Sequence, residues 1–386
     1  MAWLARNYRA IVVLLLAAIV FAVGCFWANS GPSESGTRSG DYTVYETARV
    51  TEILSDSCAP DPVADNAYRG EQMLTAELLT GDFAGDTLLC HNTCGPIYNQ
   101  PVAVGDKVVL CVSVYATGER YATVYEYSRA IPLLLLALLF LAVTVVVGGK
   151  TGLKSLVGLG VTVAGLIFIL IPALLKGEPT VVTTFALCAF VAVVSFTILG
   201  GINRKTVCAM LGTLGGMLMA ALFGLLGQWL CRINGMRQEY IEPLLQLRQT
   251  GASAIGLKGL LTAGILISAL GAVMDVAMSV SSALSELKAV DGSLTFRKLM
   301  KSGMNIGRDM VGTMTNTLIL AFFGSALVLV IYMYTLSLDP QYLLNSAFLS
   351  LEVVSALASS IGVILSVPLT CAIAAGLFGR KEKQKS

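Results

Sequence analysis

Eight apolar runs, each about as long as a lipid bilayer is thick, constrain this chain more than any other feature. A hydrocarbon core of about 30 Å takes roughly 20 helical residues to cross. Residues 9–29, 130–148, 153–174, 180–200, 207–230, 257–279, 311–335 and 354–378 each supply such a run. In lipid the backbone must satisfy its own hydrogen bonds, so runs of this length read as helices. The expected fold is therefore a membrane all-α helical bundle of about eight transmembrane helices. Composition agrees, since 55% of the 386 residues are hydrophobic and only 13% charged, which excludes an ordinary water-soluble domain.

One interval departs from this character. Residues 31–129 carry more than twice as many Asp and Glu as Arg and Lys. Their apolar residues fall in short β-branched or aromatic runs, "YTVYETARVTEIL", "QMLTAELLT", "DKVVLCVSVY" and "RYATVYEY", separated by Gly and Asp turns. Such strands suit a small β-barrel-like domain of the OB type, with an irregular antiparallel sandwich as the alternative. The chain then divides into an N-terminal anchor (1–30), an acidic β-domain (31–129), a polytopic membrane domain (130–379) and a basic tail (380–386). Arg6 and Arg9 precede the first run as in a signal peptide. Its apolar part outlasts the roughly 7–15-residue core of a cleaved signal, so it reads as an anchor, with cleavage after Ala28 as the other reading.

Basic residues set the orientation. With the N-terminus cytoplasmic, the inside segments hold fifteen Lys and Arg against five in the short outside loops, the asymmetry of a multi-pass protein of the cell membrane. Both termini are then cytoplasmic and residues 31–129 extracytoplasmic. The loop "CRINGMRQEYIEPLLQLRQTGASA" is basic for an outside segment, and Tyr240, Ile241, Leu244, Leu245 and Leu247 suit a short amphipathic helix lying on the membrane surface. The lipid bilayer is the first expected partner. A net charge of +2 gives no reason to expect nucleic acid.

Polar residues inside the apolar runs are the candidates for function. In "GAVMDVAMSVSSALSEL" (271–287), Asp275, Ser279, Ser282 and Glu286 recur at helical spacing and share one face. The seventh run opens with a similar stripe of Asn305, Asp309, Thr313 and Asn316, with Arg308 beside it. Antiparallel neighbours would bring Asp275, Arg308 and Asp309 to one depth, and because an unpaired charge in hydrocarbon is costly, a pair between Asp275 and Arg308 is expected. Two readings stand. Asp275 and Asp309 could bind a cation or carry a proton, or the charges could form a helix-end ion pair while the serines bond backbone carbonyls. Asn316, about two turns further in, needs partners under either. The last run carries Glu352, Ser355, Ser359, Gly362 and Ser366, with Glu352 near the outer surface as a gate acid or an interfacial charge, and Pro368 kinking the inner half.

Gly212, Gly216, Ala220 and Gly224 recur every fourth residue in the fifth run, which permits close helix crossing and offers a surface for homo-oligomerisation. "GGKTG" invites a phosphate-loop reading, but Thr144 stands where the leading glycine of that loop belongs. Lys150 and Lys154 are better placed as anchors at the inner helix ends.

Four blocks carry a resemblance. "GGKTGLKSLVGL" (148–159), "GAVMDVAMSVSSALSEL" (271–287), "SGMNIGRDMVGTMTNTLILAFFG" (302–324) and "LEVVSALASSIGVILSVPLT" (351–370) match in order and spacing, and the segment 130–377 resembles the YibE/F-like bacterial membrane proteins. An anchor followed by an extracytoplasmic β-domain is also what longer members look like. The resemblance implies the architecture and a suspicion of transport. The expected function is a permease or transporter component whose polar pathway, lined by helices six, seven and eight, takes an ion or small solute. The alternative is an accessory or scaffold protein whose external domain binds an envelope protein.

Cys58, Cys90, Cys94 and Cys111 make an even count in the β-domain and suggest two disulfides, with three pairings open. "LLCHNTCGPI" could instead present Cys90, His91 and Cys94 to a metal, but it lacks a second matching pair, and free thiols are the third reading. No metal, cofactor or catalytic residue is called for. The single His is external, so no Ser-His-Asp set forms, no His-Glu-x-x-His is present, and an intramembrane aspartyl enzyme would need Asp275 and Asp309 face to face.

Overall fold

The structure is a computed structural model that describes residues 2–29, 41–65, 67–234, 241–251, 253–257, 259–336 and 339–379. The basic tail 380–386, Tyr240 and Lys258 lie outside the described residues. The chain forms two compact units, Pro32–Val143 and the combination of Met1–Gly31 with Thr144–Ser386.

Among the described residues the first unit contains six strands: β1 (Tyr42–Asp56), β2 (Ala59–Pro60), β3 (Tyr68–Leu78), β4 (Thr87–Cys94), β5 (Lys107–Val114) and β6 (Arg120–Tyr127). Period-two alternation sends Val108, Leu110 and Val112 of β5 inward with Leu74, Ala76 and Leu78 of β3. Register shifts after Val50 and Ile53 bend the long β1, so its first half pairs with β5 and its second with β3. That double pairing closes a five-stranded barrel in the order β1–β5–β6–β4–β3, with β4 and β6 parallel and the other pairs antiparallel. A barrel of the OB type satisfies this order, and the sandwich alternative does not. Gln72 and Asn92 are buried inside it. Gln72 donates to Asp56 and to the Val102 carbonyl and accepts from the Val102 N–H and from Asn92, which also donates to the Gln100 carbonyl.

The second unit is helical. Its first helix, α1 (Ala2–Asn29), carries the apolar stretch Val12–Trp27 and stacks Phe21 on Phe190. α2 (Ala130–Gly165) begins in the first unit, passes into the second at Thr144, and runs through a π turn at Leu166–Leu170 into α3 (Ile171–Leu175). Then come α4 (Thr180–Gly200), α5 (Arg204–Leu230), α6 (Ile241–Gln249), α7 (Leu260–Val290), α8 (Phe296–Ser325), α9 (Leu327–Thr335), α10 (Pro340–Leu344) and α11 (Ala347–Gly379). Among the described residues five helices are long and apolar enough to cross a membrane. They are α2–α3, α4, α5, α7 and α11, and the α8–α9 pair, bent by 59°, makes a sixth if taken as one span.

The two runs expected at 130–148 and 153–174 are the two arms of α2–α3, broken at Gly149 (φ 55, ψ −137). Only glycine takes that backbone readily. A Cβ at Gly152 would fall 2.3 Å from the Thr144 carbonyl oxygen. "GGKTG" is thus a helix break that requires glycine at 149 for its backbone and at 152 for the close approach of the Thr144 carbonyl.

At the centre, α5, α7 and α11 approach closely at their small residues. A Cβ at Gly212 would lie 2.0 Å from Thr370 Oγ1, and one at Gly216 would lie 2.7 Å from both Ser366 and Val273. Gly362 of α11 meets Ala220 in return. The glycine ladder of α5, expected as a surface for self-association, is therefore filled from within the chain. The outward side of α5 carries Leu211, Leu218, Leu222 and Leu225 instead, as a lipid-facing side does. Pro368 lies inside α11, which remains one helix. The surface helix expected after residue 240 is α6, with Ile241 buried against Ile255 and Leu257.

Candidate functional site

Ser268, Gly271, Asp275, Ser279, Ser282 and Glu286 follow one another at steps of three or four along one side of α7, and all are exposed except the half-buried Ser282. The opposite side, with Val273, Val276, Ala277, Val280 and Leu284, is fully buried in the helix core. Apolar packing thus aims the polar side away from α5.

That side meets two clefts. The larger, about 770 Å³, lies between α7, the bend joining α8 to α9, and the start of α11. Its walls are apolar, with Leu260, Phe322, Leu329 and Phe348, and its polar groups are Ser268, Ser325, Tyr332, Glu352 and Ser355. Ser268 shares a hydrogen bond of 3.0 Å with Ser359. The second cleft, about 370 Å³, lies between α7, the second arm of α2 and α4, and brings Asp275 together with Lys154, Ser155, Thr162 and Ser195.

The α8 stripe does not join them. Asn305, Arg308, Asp309, Thr313 and Asn316 are all exposed, on the side of α8 turned away from α7 and α11. Glycines decide this. Gly303 is pressed against Cys371 and Leu284, and Gly307 against Val367, at 2.9 Å or less from where a Cβ would stand. Small residues four apart let helices approach closely, so they, and not the polar stripe, choose the side of α8 that packs. The expected pair between Asp275 and Arg308 is accordingly not made, and neither residue forms an ion pair among the described residues. Thr313 donates to the carbonyls of Asp309 and Met310, and Thr317 to that of Thr313.

In the barrel, all four cysteines are free thiols. The Cys58 and Cys94 thiols lie close enough to act on one another's protonation. Burial, aided by Cys94, pushes the Cys58 thiol up to about 12. Burial alone pushes Cys90 up to about 12, because its side chain points into the apolar core. Cys111 lies across the outer face beside Tyr45. The Cys90, His91 and Cys94 set does not converge, since strand alternation turns Cys90 inward while His91 stacks on Tyr121 outside.

A family model described as "YibE/F-like protein" matches residues 136–380. The chain belongs to the YibE/F-like family. The family segment includes both clefts and the whole of α4 to α11, and it leaves the barrel outside. No curated protein and no solved structure matches the chain. A YibE/F-like chain with these apolar helices is a multi-pass membrane protein.

Several cleft residues were not singled out from spacing. Ser268 stands seven residues before Asp275 and so continues its stripe, a signal that was legible. Lys154, Ser195 and Tyr332 come from helices far apart in sequence, and no local pattern announces them.

Proposed function

We propose that this YibE/F-like protein is a permease or transporter component that passes an ion or small polar solute through the membrane. The observation that carries this reading is the 770 Å³ cleft. It is walled by the sixth, seventh and eighth apolar runs, which are α7, α8–α9 and α11, and it holds a half-buried carboxylate, Glu352. An ionisable residue among apolar helices marks a polar path more often than a packing contact. From Glu352 and Ser268 the exposed side of α7 continues over Gly271, which has no side chain to obstruct it, to Asp275 in the second cleft. Recognition and passage, not bond chemistry, is the role these groups suit.

Eight spans follow under this reading: α1, the two arms of α2–α3, α4, α5, α7, α8–α9 and α11. The positive-inside asymmetry puts both termini in the cytoplasm of the cell and the barrel outside. An envelope thiol oxidant, such as an oxidised disulfide donor, would then take two electrons and two protons from Cys58 and Cys94 and leave them bridged, with Cys90 and Cys111 alkylatable on unfolding.

Flux of protons, sodium, potassium and labelled polar metabolites into proteoliposomes tests the proposal. Wild-type protein is expected to carry at least one of them, with Glu352→Gln and Asp275→Asn each lowering the rate about tenfold, or about 1.4 kcal/mol of barrier. Folded wild-type protein that carries none of them, or variants that carry it undiminished, would end the transporter reading.

A second reading has one observation in its favour. The barrel exposes Tyr45, Tyr121 and Tyr125 on one face, with Tyr45 and Tyr125 packed edge to face at 5.0 Å, and exposed aromatics of this kind favour a protein partner. A scaffold role of this sort predicts that removing the barrel abolishes function while Asp275→Asn is silent.

A further inference from the structure

We propose that the outward polar side of α8 is covered by the same side of a second copy of this chain, with Arg308 of each copy paired to Asp309 of the other. The proposal does not rest on transport, since the two copies would associate whether or not anything passes.

The stripe lies at membrane depth. Gly303 of α8 abuts Leu284 of α7 and Cys371 of α11, and Gly307 abuts Val367 of α11. Because α7 and α8 are antiparallel, α8 residues beyond 307 are level with α7 residues before about 280 at 1.5 Å per residue. That is the apolar part of α7, the run 257–279. Asp309, Gly312, Thr313 and Asn316 therefore stand within the apolar layer, and Arg308 stands at its edge.

Among the described residues the stripe lacks partners inside the chain. The two threonines satisfy their hydroxyls on their own helix. Asn305, Arg308, Asp309 and Asn316 make no side-chain hydrogen bond or ion pair with a described residue. Facing lipid, a carboxylate, a guanidinium and an amide in this state are costly.

The chemistry of the stripe selects its occupant. Two copies inserted with the same orientation are related by an axis along the membrane normal, so every residue meets its counterpart at its own depth. Opposite charges one residue apart, separated by only about 1.5 Å of rise, therefore match across such an axis. Arg presents a planar fork that suits a carboxylate. Asn316, with both donor and acceptor, matches its own copy. Between them Gly312 has no atom within 4 Å of where a Cβ would stand, which leaves the backbone open to close approach. Further along, the same side turns apolar at Leu320 and Phe323. The other surface suited to self-association, the glycine ladder of α5, is already filled by Thr370, Ser366 and Ile265.

The test uses the full chain in lipid nanodiscs, with particle mass as the readout. Wild-type protein is expected to be oligomeric. Arg308→Asp or Asp309→Arg alone puts like charges across the axis and is expected to weaken association about tenfold or more. The double exchange Arg308→Asp with Asp309→Arg restores it. Differently tagged single variants, co-expressed, are expected to co-purify with each other and not with themselves. Asn316→Cys is expected to cross-link to a dimer under copper phenanthroline, and Val182→Cys, exposed on α4, is not. Monomeric wild-type protein, association unchanged by either charge reversal, or no cross-link at 316 above that at 182 would each overturn the proposal. Failure of flux in proteoliposomes would leave it standing, and failure of association would leave the cleft of Glu352 in place.

Discussion

The barrel and the helical unit treat their buried polar groups differently. In the barrel, Gln72 and Asn92 are deep in the core, and each is bound to the other and to loop carbonyls, so residues 95–106 are tied to the barrel by side chains as well as by backbone. In the helical unit, buried Thr184 and Ser366 bond to carbonyls of their own helices and Ser281 to the Lys205 carbonyl of α5, but the buried hydroxyls of Thr213, Ser360 and Thr370 find no partner among the described residues, and Asp275 and the charged members of the α8 stripe have no ion-pair partner among them. A domain in water can leave its charges to solvent and tie its buried amides to its own loops. A helix bundle in lipid cannot, so polar groups left unpaired there point to a cleft, a solute or another copy of the chain.

Four measurements would break or sharpen that contrast. The largest effect is expected at the α5–α7–α11 centre, where Gly216→Leu would drive a branched side chain into Ser366, Val273 and the Gly362 carbonyl. A loss of about 3 kcal/mol is expected there, seen as aggregation or a much lower unfolding temperature in detergent, and an unshifted temperature would mean the helices do not cross this closely. In the barrel, Gln72→Ala removes the acceptor of the Val102 N–H and one of the acceptors of Asn92, and is expected to cost about 2 kcal/mol. Hydrogen exchange of peptides from residues 92–106 in the full chain would show it as lost protection, and unchanged protection would remove the network from the argument.

A smaller effect is expected with pH. The hydrogen bond from Arg69, followed by the N–H groups of Val63 and Ala64, holds the Asp61 carboxyl down at about 2. A carboxyl lower in the folded chain than in the unfolded one stabilises above the unfolded value of about 3.9 and stops doing so as pH falls through about 2. Barrel exchange protection should therefore be level above pH 5 and decline from about pH 4 toward pH 2. Asp61→Asn should be less protected at neutral pH and should remove its share of that decline. The smallest effect is a null. In a double-mutant cycle, Asp275→Asn and Arg308→Gln should couple by less than about 0.5 kcal/mol, as distant sites do, and coupling well above that would mean that α7 and α8 turn their polar sides toward one another.

Much of this molecule is legible in the order of its residues. Apolar run length located the helices of the membrane unit, and strand alternation with Gly and Asp turns located the β-domain, because both depend on local periodicity and on the solvent each segment must tolerate. The same periodicity placed Asp275, Ser279, Ser282 and Glu286 on one side of α7, and Asn305, Asp309 and Asn316 on one side of α8. Spacing could not say which side of α8 would pack. Gly303 and Gly307 lie in the sequence as plainly as Arg308 and Asp309, but their effect depends on Val367 and Cys371 of α11, some 60 residues later in the chain.

What the sequence by itself determined was a chain of apolar helices interrupted by one small acidic β-domain, with polar stripes on particular helix sides. Only the tertiary structure decided that the α5 glycines are filled, that Asp275 shares a cleft with Lys154 and not a bond with Arg308, and that α8 keeps its polar side outward. The physical reason is that helical spacing assigns residues to sides, whereas close contact between small residues on different helices decides which sides meet.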